Sequence, residues 1–131
     1  MGRDIHWFVE RRLTGADEWV LEDGDIPFYR RENSALVYRG RNYELFAALS
    51  GIRGHHRQLI PSRGLPSDVS PIVAACANVE SDCVGHSFAL LEELRSIEET
   101  DCSDAVFTSV LEEMARIAAK GAVRAVYWFD P

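Results

Sequence analysis

Both ends of the chain carry strand-type patterns, and this limits the fold more than any other feature of the sequence. Residues 4–12 alternate, so that Asp4 and His6 share one face while Trp7 belongs to the other. Residues 123–129 are rich in the β-branched and aromatic types that strands favour. Because helical periodicities occupy much of the chain between them, we expect the two strands to pair in a small, mostly antiparallel sheet.

Capping residues and apolar spacing between these ends predict three or four helices. Asn42 and Gly51 are expected to begin and end a short first helix, and Ser70–Pro71 is expected to start the second. Residues Leu90 to Ile97 have the spacing of a third helix. The longest helix is expected near 104–120, with Ser103 as its N-cap and Gly121 at its end. The second helix is expected to bury Ile72, Ala75, Cys76 and Val79, and short apolar pieces at 18–21 and within 26–38 predict further strands. The sequence therefore predicts an α+β fold, with the helices covering the sheet, in one domain over residues 1–131.

Length and charge exclude several classes of protein. The chain has 131 residues and a net charge of -7, which argues against broad nucleic-acid binding. It contains no apolar run of about 18 residues, which a transmembrane helix needs, and its charged N-terminus is unlike a secretory signal. Its three cysteines form no C-x-x-C motif, so neither a disulfide framework nor a zinc knuckle is indicated. We expect a cytoplasmic protein without a cofactor or membrane contact. The sequence is compatible with either a monomer or a homo-oligomer.

The charge is strongly segregated along the chain. Residues 26–79 hold seven arginines against three acidic residues, a balance of +4. Residues 80–104 hold eight acidic residues against Arg95, a balance of -7. Arginine forms bidentate contacts with phosphate and carboxylate groups, so a basic centre in an acidic chain favours a discrete site for an anion.

Four short motifs follow one another along the chain: M-G-R-D-I-H at 1–6, R-N-Y-E-L-F at 41–46 continuing to G-I-R at 51–53, R-G-L-P-S-D-V-S at 63–70, and H-S at 86–87. In this order they resemble the pattern of a family of small bacteriophage and prophage proteins of uncharacterised activity. The family pattern has an acidic residue two positions before the histidine, where this chain has Val84. The resemblance covers roughly residues 1–95 and implies a phage origin and a set of positions, but no activity.

Asp4 and His6 leave the same face of the first predicted strand, so they could converge on a ligand or a metal. A metal would need one or two more ligands, and Glu10, His86, His55 and His56 are the candidates. The alternative is a histidine that is hydrogen bonded to an aspartate at the sheet edge. We favour this alternative and predict no metal, because D-x-H alone is a weak signal.

His86 and Ser87 are expected to follow a turn and to precede a helix. A helix start that carries a serine and a histidine suits an anionic group. Ser87 could equally be an ordinary N-cap.

Arg41, Tyr43 and Arg63 flank the basic loop and could form an arginine-lined lip that binds phosphate. The alternative is that such arginines pair with the acidic segment at 92–104. The three tryptophans are expected in the core or as a shelf for a ligand.

Three functions are compatible with these features. The leading hypothesis is a phage-type protein that binds a phosphorylated, nucleotide-like ligand and sequesters a signal of host defence. Its predicted ligand-binding residues are Asp4, His6, Arg41, Tyr43, Arg63, His86 and Ser87. A second hypothesis is a nucleotide hydrolase that uses His6 or His86 as general base. The third is an acidic inhibitor that binds a host defence protein through residues 92–104.

Overall fold

The structure, a computed structural model, describes residues 4–22, 36–52, 57–79 and 81–131. The strands in these ranges are β1 (Ile5–Leu13), β2 (Val20–Leu21), β3 (Val84–Leu90) and β4 (Gly121–Phe129), and the helices are α1 (Tyr43–Ser50), α2 (Pro71–Val79), α3 (Leu91–Glu98) and α4 (Ala105–Ala118). The antiparallel sheet has the order β2-β1-β4-β3, and β1 pairs with β4 along its whole length. The predicted α+β fold and the pairing of its first and last strands are therefore confirmed.

Helices cover both faces of the sheet. The face that carries Trp7, Tyr127 and Phe129 packs against α1, α3 and α4 and forms the larger core. The opposite face, which we call the α2 face, carries Phe8 and Trp128 and packs against α2. Alternation along each strand thus gives two separate apolar clusters.

A buried ion pair lies on the α2 face. Glu10 and Arg124 are 0% and 4% exposed, and Arg124 Nε donates to Glu10 Oε1 at 2.7 Å. The other oxygen of Glu10 accepts from the backbone N–H of Ser70 at 2.7 Å, and Arg124 Nη1 donates to Asp68 at 2.9 Å. The Arg124 guanidinium also lies over the Trp19 ring, 4.0 Å from its centroid. This network joins the start of α2 to the sheet.

The first helix begins and ends as predicted, whereas α4 has a different N-cap. Asn42 Oδ1 accepts from Leu45 N at 3.1 Å, and Gly51 ends α1 in the left-handed region at φ 70°. The cap of α4 is Asp104, whose side chain accepts from Phe107 N at 2.8 Å, and not Ser103. The helix begins one residue later than expected, which puts the carboxylate in the capping position.

The predicted ends and faces of the other helices also need correction. Gly121 does not end α4 but begins β4, because α4 stops at Ala118. Helix α2 starts at Pro71 as expected, but Val79 is 62% exposed. Its buried residues are Val73, Cys76 and Ala77. Cys76 is therefore buried as predicted, and Ile72 and Ala75 are half-buried, so the buried stripe coincides only in part with the predicted one.

His86 and Ser87 do not begin a helix; they belong to β3, and α3 starts at Leu91. Ser87 pairs opposite Tyr127, and the register of β3 shifts between Val84 and Ser87. Gly85, inside this irregularity, has a φ of 72°. This backbone conformation is sterically unfavourable for residues that carry a Cβ atom, so glycine suits the position. The predicted helix over Leu90–Ile97 is therefore present as α3, but the residues before it pair with β4 as a strand.

Two further expectations concern 26–38 and the tryptophans. The pieces at 26–35 lie outside the described residues, and residues 36–38 form a turn and a bend rather than a strand. Trp7, Trp19 and Trp128 are 2%, 6% and 0% exposed, so they belong to the core and offer no shelf to a ligand.

In the described part of the chain, every helix is too short or too polar to cross a membrane.

Candidate functional site

Four polar side chains meet at the end of the sheet where β1 begins and β4 ends. Asp4 directly precedes β1, His6 lies within it, and Asp130 directly follows β4. The pairing continues past the strand end, because Asp130 N donates to the carbonyl of Asp4 at 3.0 Å. Arg41, just before α1, joins them through Asp4. We call the group formed by Asp4, His6, Arg41 and Asp130 the polar edge.

The carboxylate that binds His6 is Asp130, not Asp4. His6 Nε2 lies 2.6 Å from Asp130 Oδ1, and the two side chains are 26% and 37% exposed. Asp4 shares a strand face with His6 as the sequence predicts, but its Oδ1 accepts from Arg41 Nε at 2.6 Å. The predicted hydrogen-bonded histidine is present, with a partner from the other end of the chain.

Arg41 is the most exposed cation of the polar edge. Its side chain is 55% exposed and that of Asp4 is 53% exposed. The hydrogen bond from Arg41, helped by the charges of Arg41 and His6, holds the pKa of Asp4 below its usual value despite partial burial. Among the described residues, the hydrogen bonds of Arg41 involve only Nε. Within residues 4–22, 36–52, 57–79 and 81–131, both Nη groups therefore lack a hydrogen-bond partner.

Tyr43 is the first residue of α1, close to Arg41. Its ring is half-buried and contacts Phe46 edge-on, with 5.6 Å between the centroids. The hydrogen bond and charge of Asp4 raise the pKa of Arg41, and Tyr43 and Asp130 add to this effect. Tyr43 and Asp130 thus both contribute to the electrostatic surroundings of this guanidinium.

His86 lies on the other side of Trp128 from His6. The imidazole of His6 stacks on the indole at 6.1 Å between centroids, and that of His86 stacks at 5.3 Å. Strand β4 lies between β1 and β3, so the two histidines approach Trp128 from opposite sides. The buried indole thus lies between the two candidate bases.

Arg63 and Ser87 tie the segment 61–64 to β3 and α3. The Arg63 guanidinium donates to both oxygens of Glu93, at 2.8 Å for the Nη1–Oε1 pair, and to the Phe88 carbonyl at 2.9 Å. Its backbone N–H donates to the hydroxyl of Ser87, which is fully buried and in turn donates to the carbonyl of Pro61. A ligand role for both residues stays a prediction, and their contacts favour the alternative in which Arg63 pairs with the acidic segment.

Replacing Glu93 by glutamine is expected to lower the free energy of unfolding by about 1 kcal/mol at pH 7. The hydrogen bond from Arg63 holds the pKa of Glu93 below its usual 4.5, against the effect of burial. A lowered pKa stabilises the fold above the unfolded value, and this contribution is lost as the pH falls through the folded value. Urea unfolding of both chains should therefore converge at acidic pH.

Glu112→Gln, on the exposed side of α4, is the matched control and should show no pH-dependent difference. A Glu93→Gln deficit that persists unchanged well below pH 4.5 would contradict the charged pair as its cause.

The acidic segment at 92–104 is only partly available to a partner protein. Glu93 is bound by Arg63, Glu98 contacts Arg95, and Asp104 caps α4. Glu92, Glu99 and Asp101 remain exposed. The segment thus presents fewer acidic groups than its sequence suggests.

Cys83 is a potential ligand that the sequence analysis did not select, and Asp130 is another. Atoms of His6, Cys83 and Asp130 that could hold a metal all lie within 4.8 Å of one another, and all three residues are half-buried. Of the ligands considered from the sequence, Glu10 is buried against Arg124, and His55 and His56 lie outside the described residues. The paired first and last strands are the signal that could have identified Asp130.

Two shallow depressions lie at the opposite end of the sheet. One, of about 640 Å³, is lined by the turn after β1 and the start of β4. The other, of about 490 Å³, is lined by residues of β1 and α4 together with Glu22, Leu36 and Lys120. None of the seven predicted ligand-binding residues lines either depression.

In comparisons with known proteins, no family model, curated protein or solved structure matches the chain. The geometry of the polar edge is therefore the main guide to function.

Proposed function

We propose that the chain binds a small phosphorylated, nucleotide-like ligand at the polar edge. The observation that carries this proposal is the state of Arg41, which is held through Nε by Asp4 while both Nη groups stay available in the described structure. A guanidinium fixed in this way presents two parallel N–H donors to phosphate oxygens. Because Asp4 already orders the side chain, less conformational entropy is lost on binding.

The mixed charge of the polar edge favours a nucleotide over a simple anion. Two carboxylates, Asp4 and Asp130, accompany the single guanidinium of Arg41. An inorganic anion would meet these carboxylates as like charges. A nucleotide combines phosphate acceptors for Arg41 with hydroxyl and amino donors that carboxylates accept, as they do with ribose hydroxyls elsewhere.

The resemblance to bacteriophage proteins supplies a biological setting for this binding. A phage protein that binds a nucleotide signal without converting it would sequester that signal in the host cytosol. Hydrolysis of the ligand and inhibition of a host protein are the competing functions, and the experiment below separates them.

Arg41→Ala is expected to weaken binding of a nucleotide found in a thermal-shift screen at least about tenfold, since a hydrogen bond to a charged group contributes roughly 1.5–3 kcal/mol. The screen uses mono-, di- and cyclic nucleotides with inorganic phosphate as reference, and titration calorimetry gives the affinities. The variant should stay folded, because the exposed pair with Asp4 contributes little to stability.

Arg116→Ala is the matched control, because Arg116 is 71% exposed and pairs with Glu113 on α4, away from the polar edge. Equal loss of affinity in both variants would contradict a specific site. A ligand whose mass changes during incubation would favour the hydrolase. If no nucleotide binds and a host protein is captured by the natural chain but not by Glu92→Gln/Glu99→Gln, the inhibitor replaces the proposal.

A further inference from the structure

We propose that His6, Cys83 and Asp130 form a binding site for a divalent transition metal of the zinc type. Their potential ligand atoms lie within 4.8 Å of one another. His6 Nε2 and Asp130 Oδ1 are already 2.6 Å apart. This inference does not depend on a nucleotide ligand, and it is tested without one.

The register of the sheet brings the three ligands together. His6 pairs opposite Trp128 in β4, and Asp130 lies two residues further on, so both side chains point to the α2 face. Val84 pairs opposite Phe129, which places Cys83 beside Asp130 on the same face. The three side chains thus come from one end of three neighbouring strands, on a frame fixed by backbone hydrogen bonds.

The donor atoms select the class of metal. An imidazole nitrogen, a thiolate and a carboxylate are the ligands that Zn²⁺ takes, whereas Mg²⁺ and Ca²⁺ prefer sites made of oxygen. Three protein ligands in a tetrahedral site leave a fourth position for water or for a ligand atom. On binding, the Cys83 thiol releases its proton to solvent, and the neutral imidazole of His6 takes the tautomer that carries its proton on Nδ1, so that Nε2 and the Asp130 carboxylate can both bind the metal.

The cluster needs a rearrangement of about 1 Å to hold an ion. Metal–ligand bonds of about 2.0–2.3 Å place tetrahedral ligand atoms roughly 3.5 Å apart. His6 Nε2 and Asp130 Oδ1, now 2.6 Å apart, must therefore separate by about 1 Å, while the other ligand atoms already lie within 4.8 Å. Cys83 lies between a turn at 81–82 and the first residue of β3. A change in the position of its thiol therefore does not require the paired strands to separate.

Neighbouring candidates do not belong to the same site. His86 is separated from His6 by the Trp128 indole, and Asp4 is hydrogen bonded to Arg41. Cys76 is buried in α2 within the apolar cluster of that face. His86 and Cys76 therefore provide matched controls for the imidazole and the thiol.

The test is a titration of the complete chain with Co²⁺ alone, followed by absorption spectroscopy. We expect one equivalent to produce a thiolate-to-cobalt charge-transfer band together with intense visible bands of tetrahedral cobalt, and Zn²⁺ to displace both. Cys83→Ala should abolish the charge-transfer band, while Cys76→Ala should keep it. His6→Asn and Asp130→Asn should each weaken binding at least about tenfold, because even indirect changes around a metal cost 10–100-fold. His86→Asn should not, nor should Asp17→Asn, which changes an exposed carboxylate at the opposite end of the sheet.

Circular dichroism of each variant checks that it is folded, and Asp130→Asn gives an independent reading if Cys83→Ala unfolds. The natural chain showing no cobalt bands, or Cys83→Ala keeping the charge-transfer band, would overturn the proposal. So would equal losses in the target and control variants. Neither result would bear on nucleotide binding through Arg41, which is measured in metal-free buffer with its own variant.

Discussion

Replacement of Arg124 by methionine is expected to lower the free energy of unfolding by about 3–5 kcal/mol, the usual cost of removing one partner from a buried ion pair. Glu10 is fully buried and accepts from Arg124 and from the backbone N–H of Ser70. Without the guanidinium, the Glu10 carboxylate stays buried with a single donor. Urea unfolding followed by circular dichroism measures the loss directly.

A double variant separates the cost of an unpaired charge from the value of the pair itself. Glu10→Leu/Arg124→Met removes both charges, and we expect it to recover most of the stability that the single variant loses. Arg95→Met is the control, because its pair with Glu98 is partly exposed and should matter by less than about 1 kcal/mol. A single Arg124 variant as stable as this control would contradict the buried network.

Asp104→Ala is expected to lower the free energy of unfolding by about 2–3 kcal/mol, because two contributions are lost together. One oxygen of Asp104 caps α4 by accepting from Phe107 N. The other accepts from the hydroxyl of Tyr38 and from Asn42, the N-cap residue of α1. Tyr38 is 1% exposed, so its hydroxyl would be left without this acceptor in a buried place.

The neighbouring Ser103 provides the matched control. Ser103→Ala should change stability by less than about 0.5 kcal/mol, as ordinary surface substitutions do. Asp104→Asn should fall between the two, because asparagine is a good N-cap but offers Tyr38 a weaker, uncharged acceptor. Equal effects of Ser103→Ala and Asp104→Ala on the free energy of unfolding would contradict a special role of Asp104 as the N-cap of α4.

Much of the fold follows from local patterns in the sequence. Alternation in residues 4–12 and the aromatic run at 123–129 identify β1 and β4, and the pairing of these two strands is confirmed. Asn42 and Gly51 bound α1 as predicted, because capping depends on the chemistry of one residue and its next few neighbours. The strand at 84–90 was not predicted, because its formation depends on pairing with β4 and not on a local pattern.

The candidate site was less predictable because its contacts join distant parts of the chain. His6 and Asp130 are 124 residues apart, and the nearer carboxylate in sequence, that of Asp4, accepts from Arg41. The charge of Arg63 predicts a phosphate-binding residue, but in the folded chain its guanidinium binds the carboxylate of Glu93. A charge pattern indicates which residues could bind an anion, not which of them the fold has already paired.

The sequence by itself determined the strand-forming ends, the helix between Asn42 and Gly51 and the start of α2 at Pro71, because short-range sterics and backbone capping decide these features. Only the tertiary structure decided which polar residues meet. Strand register sets the neighbours of each side chain, and a shift of one residue would move His6 and Asp130 to the other face of the sheet. The packing of the helices against both faces fixes that register, so the cluster of His6, Cys83 and Asp130 exists only in the folded chain.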